Sequence, residues 1–220
     1  MKAVIIGATG ATGKELLELL MASPEVTEIV ALVRKPLPVK HTKLKEQVVD
    51  FDRIGEWDEA IAADVAFSCM GTTLKAAGSK EAQYKVDYGY QYEFARIAKS
   101  KQIPTFILVS STSANPESSL FYSRMKGELE QAVEALNFKN LIVFRPGPLL
   151  RPDSDRAGEK ISVAIISFLN KLGLLRKIAP LPVKALAALL FQYAVRPPAG
   201  HTIVESAQLL KEAGALAKTK

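Results

Sequence analysis

Lys2-Ala3-Val4-Ile5-Ile6-Gly7-Ala8-Thr9-Gly10-Ala11-Thr12-Gly13-Lys14-Glu15-Leu16-Leu17-Glu18-Leu19-Leu20 reads as strand, glycine turn and helix. The run from Ala3 to Ile6 is apolar without polar alternation, as a strand buried on both faces of a parallel sheet must be. From Lys14 onward strong helix formers alternate an apolar with a polar side. Gly7, Gly10 and Gly13 fall at the junction. A diphosphate rests on the free N–H groups of a helix N-terminus only where the turn is tight and no Cβ stands in the way, which calls for glycine. Gly7, Thr9, Gly10, Ala11, Thr12 and Gly13 are therefore candidate dinucleotide-binding residues. A nucleoside-triphosphate loop does not fit, because Ala8 stands where its first glycine is needed and Glu15 where Ser or Thr must follow the lysine.

The chain has 220 residues, 48% hydrophobic and 24% charged, which suits one globular domain and excludes disordered or fibrous classes. Its net charge of +6 comes from dispersed Lys and Arg without aromatic interleaving, a pattern that argues against nucleic acid. The single cysteine, Cys69, excludes an internal disulfide and fits a reducing cytoplasm. Too few apolar residues follow Met1-Lys2 for a secretory signal. The apolar segments Ile161 to Leu169 and Ala185 to Val195 fall short of the roughly 20 residues that cross a bilayer. The expectation is a cytoplasmic protein that acts on a small molecule, with no nucleic acid, membrane or metal, as a monomer or homodimer.

Further strands are expected at Ile29 to Val33, Gln47 to Val49, Val65 to Ser68, Phe106 to Val109 and Leu141 to Phe144, with Pro36 to Glu46 as a loop. Helices are expected at Trp57 to Ala62, Ser79 to Lys101 and Phe121 to Leu136. Within the long central helix, Tyr84, Tyr88 and Tyr92 recur at helical spacing and read as core packing. Strand and helix alternate throughout, giving a Rossmann-like α/β fold, a doubly wound parallel sheet with a small C-terminal helical cap. Residues 1–220 form a single NAD(P)-binding domain in this reading. Residues 151–200 supply the substrate-side cap, from a loop at Arg151 to Glu159 and apolar helices at Ile161 to Leu175 and Val183 to Val195. His201 to Val204 adds an edge strand and Ser206 to Ala217 a last helix.

Arg34 and Lys35 follow the second strand, where an acidic residue would accept from an adenosine 2′-hydroxyl and a basic one favours a 2′-phosphate. No Asp or Glu stands there, so NADP(H) is expected rather than NAD(H). Asp50, at the end of strand three beside Phe51, either accepts from the adenine amino group or caps the next helix. Cys69-Met70-Gly71-Thr72-Thr73 forms a second small-residue turn at the C-terminal end of strand four. Tyr122 and Lys126 are four residues apart on one helix face, and an ammonium beside a phenol favours the phenolate. Tyr122 is the candidate proton donor, with Lys126 supporting it and binding the nicotinamide ribose. One hydroxyl at the end of strand five is expected to hold the substrate oxygen, Ser111 first, with Ser110 and Thr112 as the alternatives.

Tyr-x-x-x-Lys after a Ser/Thr-rich strand end, in a glycine-turn fold, resembles the short-chain dehydrogenase/reductase superfamily in its extended and atypical branch. Phe144-Arg145-Pro146-Gly147-Pro148 looks like that branch's segment beside the nicotinamide. Gly7 to Gly13, Val49-Asp50-Phe51, Cys69 to Thr73, Val86-Asp87, Tyr122 to Glu128 and Phe144 to Leu150 together resemble the Tat-interacting-protein oxidoreductase family. That resemblance implies NADPH held by the glycine turn, Arg34, Lys35, Met70, Gly71, Tyr122 and Lys126, with Leu149 and Arg156 also at the cofactor; Asp50, Phe51, Thr72 and Pro146 are further candidate cofactor-binding residues. It implies hydride transfer to a carbonyl, or from an alcohol. The alternatives are an NADP(H)-binding regulator or redox sensor with little or no turnover, and an epimerase with tightly held NAD, which Arg34 disfavours.

Overall fold

The computed structural model describes residues 1–53, 61–150 and 179–218. β1 (Lys2–Ile6) lies in the interior of a seven-stranded parallel sheet, where nearly every side chain in it is apolar and finds cover on both faces. It pairs on one side with β2 (Glu28–Val33), in register Lys2↔Glu28, and on the other with β4 (Val65–Ser68), in register Ala3↔Val65. β3 (Leu44–Val48) closes one edge beside β2. β5 (Thr105–Val109), β6 (Asn140–Arg145) and β9 (Gly200–Glu205) extend the other, giving the order β3-β2-β1-β4-β5-β6-β9. A separate two-residue pairing joins β7 (Leu149–Leu150) to β8 (Leu181–Pro182).

Alternate residues of the strands feed two cores. Ala3 and Ile5, with Ile29, Phe67, Ile107 and Phe144, pack under α1 (Ala11–Ala22) and α6 (Val183–Val195), through Leu16, Leu17 and Leu20 on one helix and Leu186, Leu189 and Leu190 on the other. Val4 and Ile6, with Ala66, Phe106, Leu108 and Val143, pack under α4 (Tyr90–Ser100) and α5 (Phe121–Glu134), through Phe94, Ala95, Ala98, Leu129 and Val133. Helices on both faces of a parallel sheet make this the expected Rossmann-like doubly wound fold. The order reverses at the β1/β4 boundary, the place where such sheets open a crevice for ligands.

Four expectations are corrected. β3 starts at Leu44, inside the stretch read as a loop. As an edge strand it has polar neighbours, with Lys45 paired to Glu28 and Glu46 to Lys40, so its sequence lacks the apolar signature of the buried strands. The segment Ser79 to Lys101 is interrupted: after α2 (Leu74–Ala77), α3 (Lys80–Tyr84) runs into a π-helical turn (Lys85–Gly89) before α4 begins. The tyrosine stripe is half-buried rather than core. Tyr84, Tyr88 and Tyr92 stack at 4.8 and 5.9 Å between ring centroids, while the inward face carries Gln83, Asp87 and Gln91. Finally, the Val183–Val195 helix covers the sheet against α1 instead of capping a substrate site. The rest of the expected cap, Arg151 to Glu159 and Ile161 to Leu175, lies outside the described residues, as does most of the expected helix Trp57 to Ala62. β9 and α7 (Ser206–Lys218) match the last two expectations.

Candidate functional site

Gly7 ends β1 with φ +79°, a backbone conformation that L side chains avoid, and a Cβ there would stand 2.5 Å from the carbonyl carbon and oxygen of Cys69. The β1 and β4 strand ends can therefore touch only with glycine at this position. The Gly7 carbonyl accepts from the Gly10 N–H at 2.9 Å, which closes the turn. At Gly13 a Cβ would come within 2.1 Å of that same carbonyl, so glycine in the first turn of α1 lets the helix sit against the strand it leaves. Gly10 is the N-cap and brings no capping side chain, and no acidic residue occupies the first turn. The N–H groups of Ala11, Thr12 and Gly13 thus lack intrahelical partners, and the positive end of the helix dipole is left without an acidic side chain.

A cavity of about 490 Å³ opens in front of this turn at the β1/β4 switch point. Gly7, Thr9, Gly10, Arg34, Phe51, Met70, Gly71 and Thr72 line it among the expected residues. Sequence reasoning missed Ala8, Leu32, Val33, Ala76, Ala77, Ala82 and Val86, whose small or apolar side chains carry no chemical signal of their own, and also Tyr90. A second cavity of about 480 Å³ adjoins it, lined by Arg34, Val48, Val49, Asp50, Phe51, Asp52 and Tyr90. Arg34 is thus shared by both, at the C-terminal end of β2, exposed and without a hydrogen bond or ion pair among the described residues. Lys35 lines neither cavity. Asp50 acts as a cap: its Oδ1 accepts from the Asp52 N–H at 2.9 Å. Asp52 is fixed by Lys85 at 2.7 Å and by the Tyr90 hydroxyl, and these two donors, Lys85 first, hold its carboxyl below the usual carboxylate range.

Cys69 packs its side chain against the core, and burial pushes its thiol up to about 12. At pH 8 only about one thiol in ten thousand would then be ionised. Iodoacetamide should leave the native protein unmodified over minutes while labelling the denatured chain fully. Rapid alkylation of the native form would show a thiolate that this packing does not allow.

Tyr122 and Lys126 lie on α5 but outside the two cavities. Tyr122 is 40% exposed in the first turn. Lys126 is 3% exposed, and its Nζ meets Asp87 Oδ1 at 3.0 Å. The hydroxyl loop lies against the same helix start, since the Asn115 N–H donates to the Ser123 carbonyl at 2.9 Å. Ser111 Oγ is 3.1 Å from Ser113 Oγ, Thr112 is exposed, and the Thr112 N–H donates to the Pro146 carbonyl at 3.1 Å. Ser110 differs from both: its hydroxyl is buried and has no hydrogen-bond partner among the described residues. Leu149, in β7, pairs with Leu181 of β8 and packs on the core, lining neither cavity, and Arg156 lies outside the described residues. Asp87 was missed as a site residue. Its signal was the four-residue spacing of Gln83, Asp87 and Gln91, polar side chains on what proves to be the buried helix face.

Among the described residues no helix is long and apolar enough to cross a membrane, and no group of three His, Cys, Asp or Glu could hold a metal ion. Residues 2–87 match the family model of the semialdehyde dehydrogenase NAD-binding domain. Among solved structures, Bordetella bronchiseptica WbmH in complex with NAD+ superposes with a TM-score of 0.72 at 14% identity, over 99% of this chain and 80% of that one. A short-chain dehydrogenase/reductase superfamily protein from Agrobacterium tumefaciens with bound NAD gives 0.70 at 12% identity, over 99% and 82%. At these identities the likeness is one of fold. Protein FMP52, mitochondrial, of Saccharomyces cerevisiae is 37% identical over 164 residues, 72% of this chain and 71% of that one. Two expectations change with this relative and others of its name. They are called FMP52 and not Tat-interacting-protein oxidoreductases, and their naming as mitochondrial overturns the cytoplasmic expectation. With a relative this similar over more than two thirds of both sequences, the chain belongs to the FMP52 family.

Proposed function

We propose that the protein is an NADP(H)-dependent oxidoreductase that reduces the carbonyl of a small molecule, or oxidises the corresponding alcohol. The observation that carries this reading is the cavity at the β1/β4 switch point, floored by the glycine turn and flanked at the β2 end by the free Arg34 guanidinium. The residues fit a dinucleotide phosphate. In this reading the N–H groups from Ala11 to Gly13 hold the diphosphate from the helix start, Gly71 and Thr72 line the same cavity, and Phe51 and Tyr90, with ring centroids 5.5 Å apart, flank the adenosine side. A planar guanidinium at the end of β2 matches a 2′-phosphate, and Lys35, one residue on, adds positive charge at longer range.

When bound, the reduced nicotinamide supplies a hydride, and the protein's own share is orientation and a proton. Tyr122 delivers that proton from its hydroxyl to the carbonyl oxygen. Lys126 orients the nicotinamide ribose, Ser111 holds the substrate oxygen, and the Pro146 segment borders the same end of the sheet. Leu149 and Arg156 complete the cofactor contacts that the family resemblance implies.

Tyr122→Phe removes the proton while leaving the nucleotide cavity intact. Turnover against a panel of aldehydes, ketones and quinones, followed by NADPH consumption, should fall about 10²- to 10⁴-fold with NADPH affinity within about twofold of native. Unchanged turnover would take the proton-transfer role away from Tyr122.

A further inference from the structure

Lys126 and Asp87 are almost completely buried, at 3% and 1% exposure, and lie 3.0 Å apart. The other oxygen of the same carboxylate, Oδ2, accepts from the Thr72 N–H at 2.8 Å, and Thr72 lines the nucleotide cavity. Asp87 is held from behind as well. Gln91 Nε2 donates to the Asp87 carbonyl at 2.7 Å and is itself fixed through its Oε1 by the Ser68 hydroxyl at 2.8 Å, while Gln83 Nε2 donates to the Thr72 carbonyl at 3.2 Å. The π-helical turn is centred on Asp87, the kind of local widening that recurs where a helix must place one side chain for function. Buried ion pairs add little net stability over apolar packing, so stability does not account for this one, and its placement does. It spans from the cavity wall to α5.

We propose that Asp87 is a positioning residue that couples the nucleotide wall to α5: one carboxylate oxygen fixes the Thr72 amide and the other holds the Lys126 ammonium where the bound nucleotide needs it. This inference rests on the nucleotide-binding reading above. Asparagine cannot replace aspartate here, because it offers a single acceptor oxygen and no charge to neutralise the ammonium.

Fluorescence titration with NADPH of the native protein, Asp87→Asn, Lys126→Met and the double variant tests it, with melting temperatures recorded in parallel. Asp87→Asn should lower NADPH affinity on the order of tenfold in the native background and by less than about twofold in the Lys126→Met background, because its effect passes through Lys126. The melting temperature should fall in each single variant and recover in the double, where neither charge is left alone. NADPH affinity unchanged in Asp87→Asn, or lowered equally in both backgrounds, would overturn the proposal by showing a structural role alone or an effect independent of Lys126. If the Asp87→Asn chain does not fold, Asp87→Glu takes its place, with its charge displaced by one methylene and the same dependence on Lys126 expected. Native protein that binds NADPH while these variants match it would sink this inference alone. Native protein that binds neither NADPH nor NADH would sink the nucleotide reading and this inference with it.

Discussion

Gly7→Ala is expected to destabilise the protein by about 2–5 kcal/mol and to abolish nucleotide binding in whatever fraction remains folded. Two effects add. The new residue must hold φ near +79°, which an L side chain resists, and its Cβ must enter space 2.5 Å from the Cys69 carbonyl. Neither neighbour can yield cheaply. β1 and β4 are paired up to Ile6↔Ser68, and the Cys69 N–H donates to the Ile6 carbonyl at 3.1 Å. Gly78 supplies the control, because its φ is +88° but a Cβ there meets nothing within 4 Å. Gly78→Ala should therefore lose only about 1–2 kcal/mol, the conformational part. Urea denaturation of both variants separates the two effects, and equal losses would mean that the strand ends are not in contact as described.

Lys126→Met should cost about 3–5 kcal/mol, even though methionine fills nearly the same volume. The loss comes from what is left behind. Asp87, 1% exposed, keeps its Thr72 hydrogen bond but loses the cation 3.0 Å from its other oxygen. Adding Asp87→Asn to this variant should return most of the loss, since the pair is then replaced by two uncharged groups. Chemical denaturation at neutral pH measures each step. If Lys126→Met is as stable as the native protein, the pair is not buried as the geometry has it.

The glycine turn was legible in the sequence because its causes are local: a strand that must be apolar, a turn that must be tight, and a helix that must begin. Arg34 was legible for a similar reason, since the residue after the second strand of such a fold has a fixed place beside the first turn. The Ser/Thr cluster and Tyr122 were legible as types and spacing, but the one hydroxyl left buried without a partner, Ser110, depends on packing that no spacing reveals. Lys126 was legible as the partner of Tyr122 four residues on, but its burial was not. Its burial depends on Asp87, which lies 39 positions earlier and reaches it only because the π-helical turn and α5 are brought side by side. The tyrosine stripe of the Ser79 to Lys101 segment read as core, whereas Gln83, Asp87 and Gln91 take the buried face. β3 was cut short for the opposite reason, as an edge strand that pairs its Lys and Glu side chains across the surface.

Fluorescence titration of nucleotide-stripped protein with NADPH and NADH, in the native form and in Arg34→Ala, tests the central claim most directly. Native protein should bind NADPH about ten- to hundredfold more tightly than NADH, and Arg34→Ala should lose that preference while its NADH affinity stays close to native. Binding of neither nucleotide, or a preference for NADH that Arg34→Ala leaves unchanged, would contradict it.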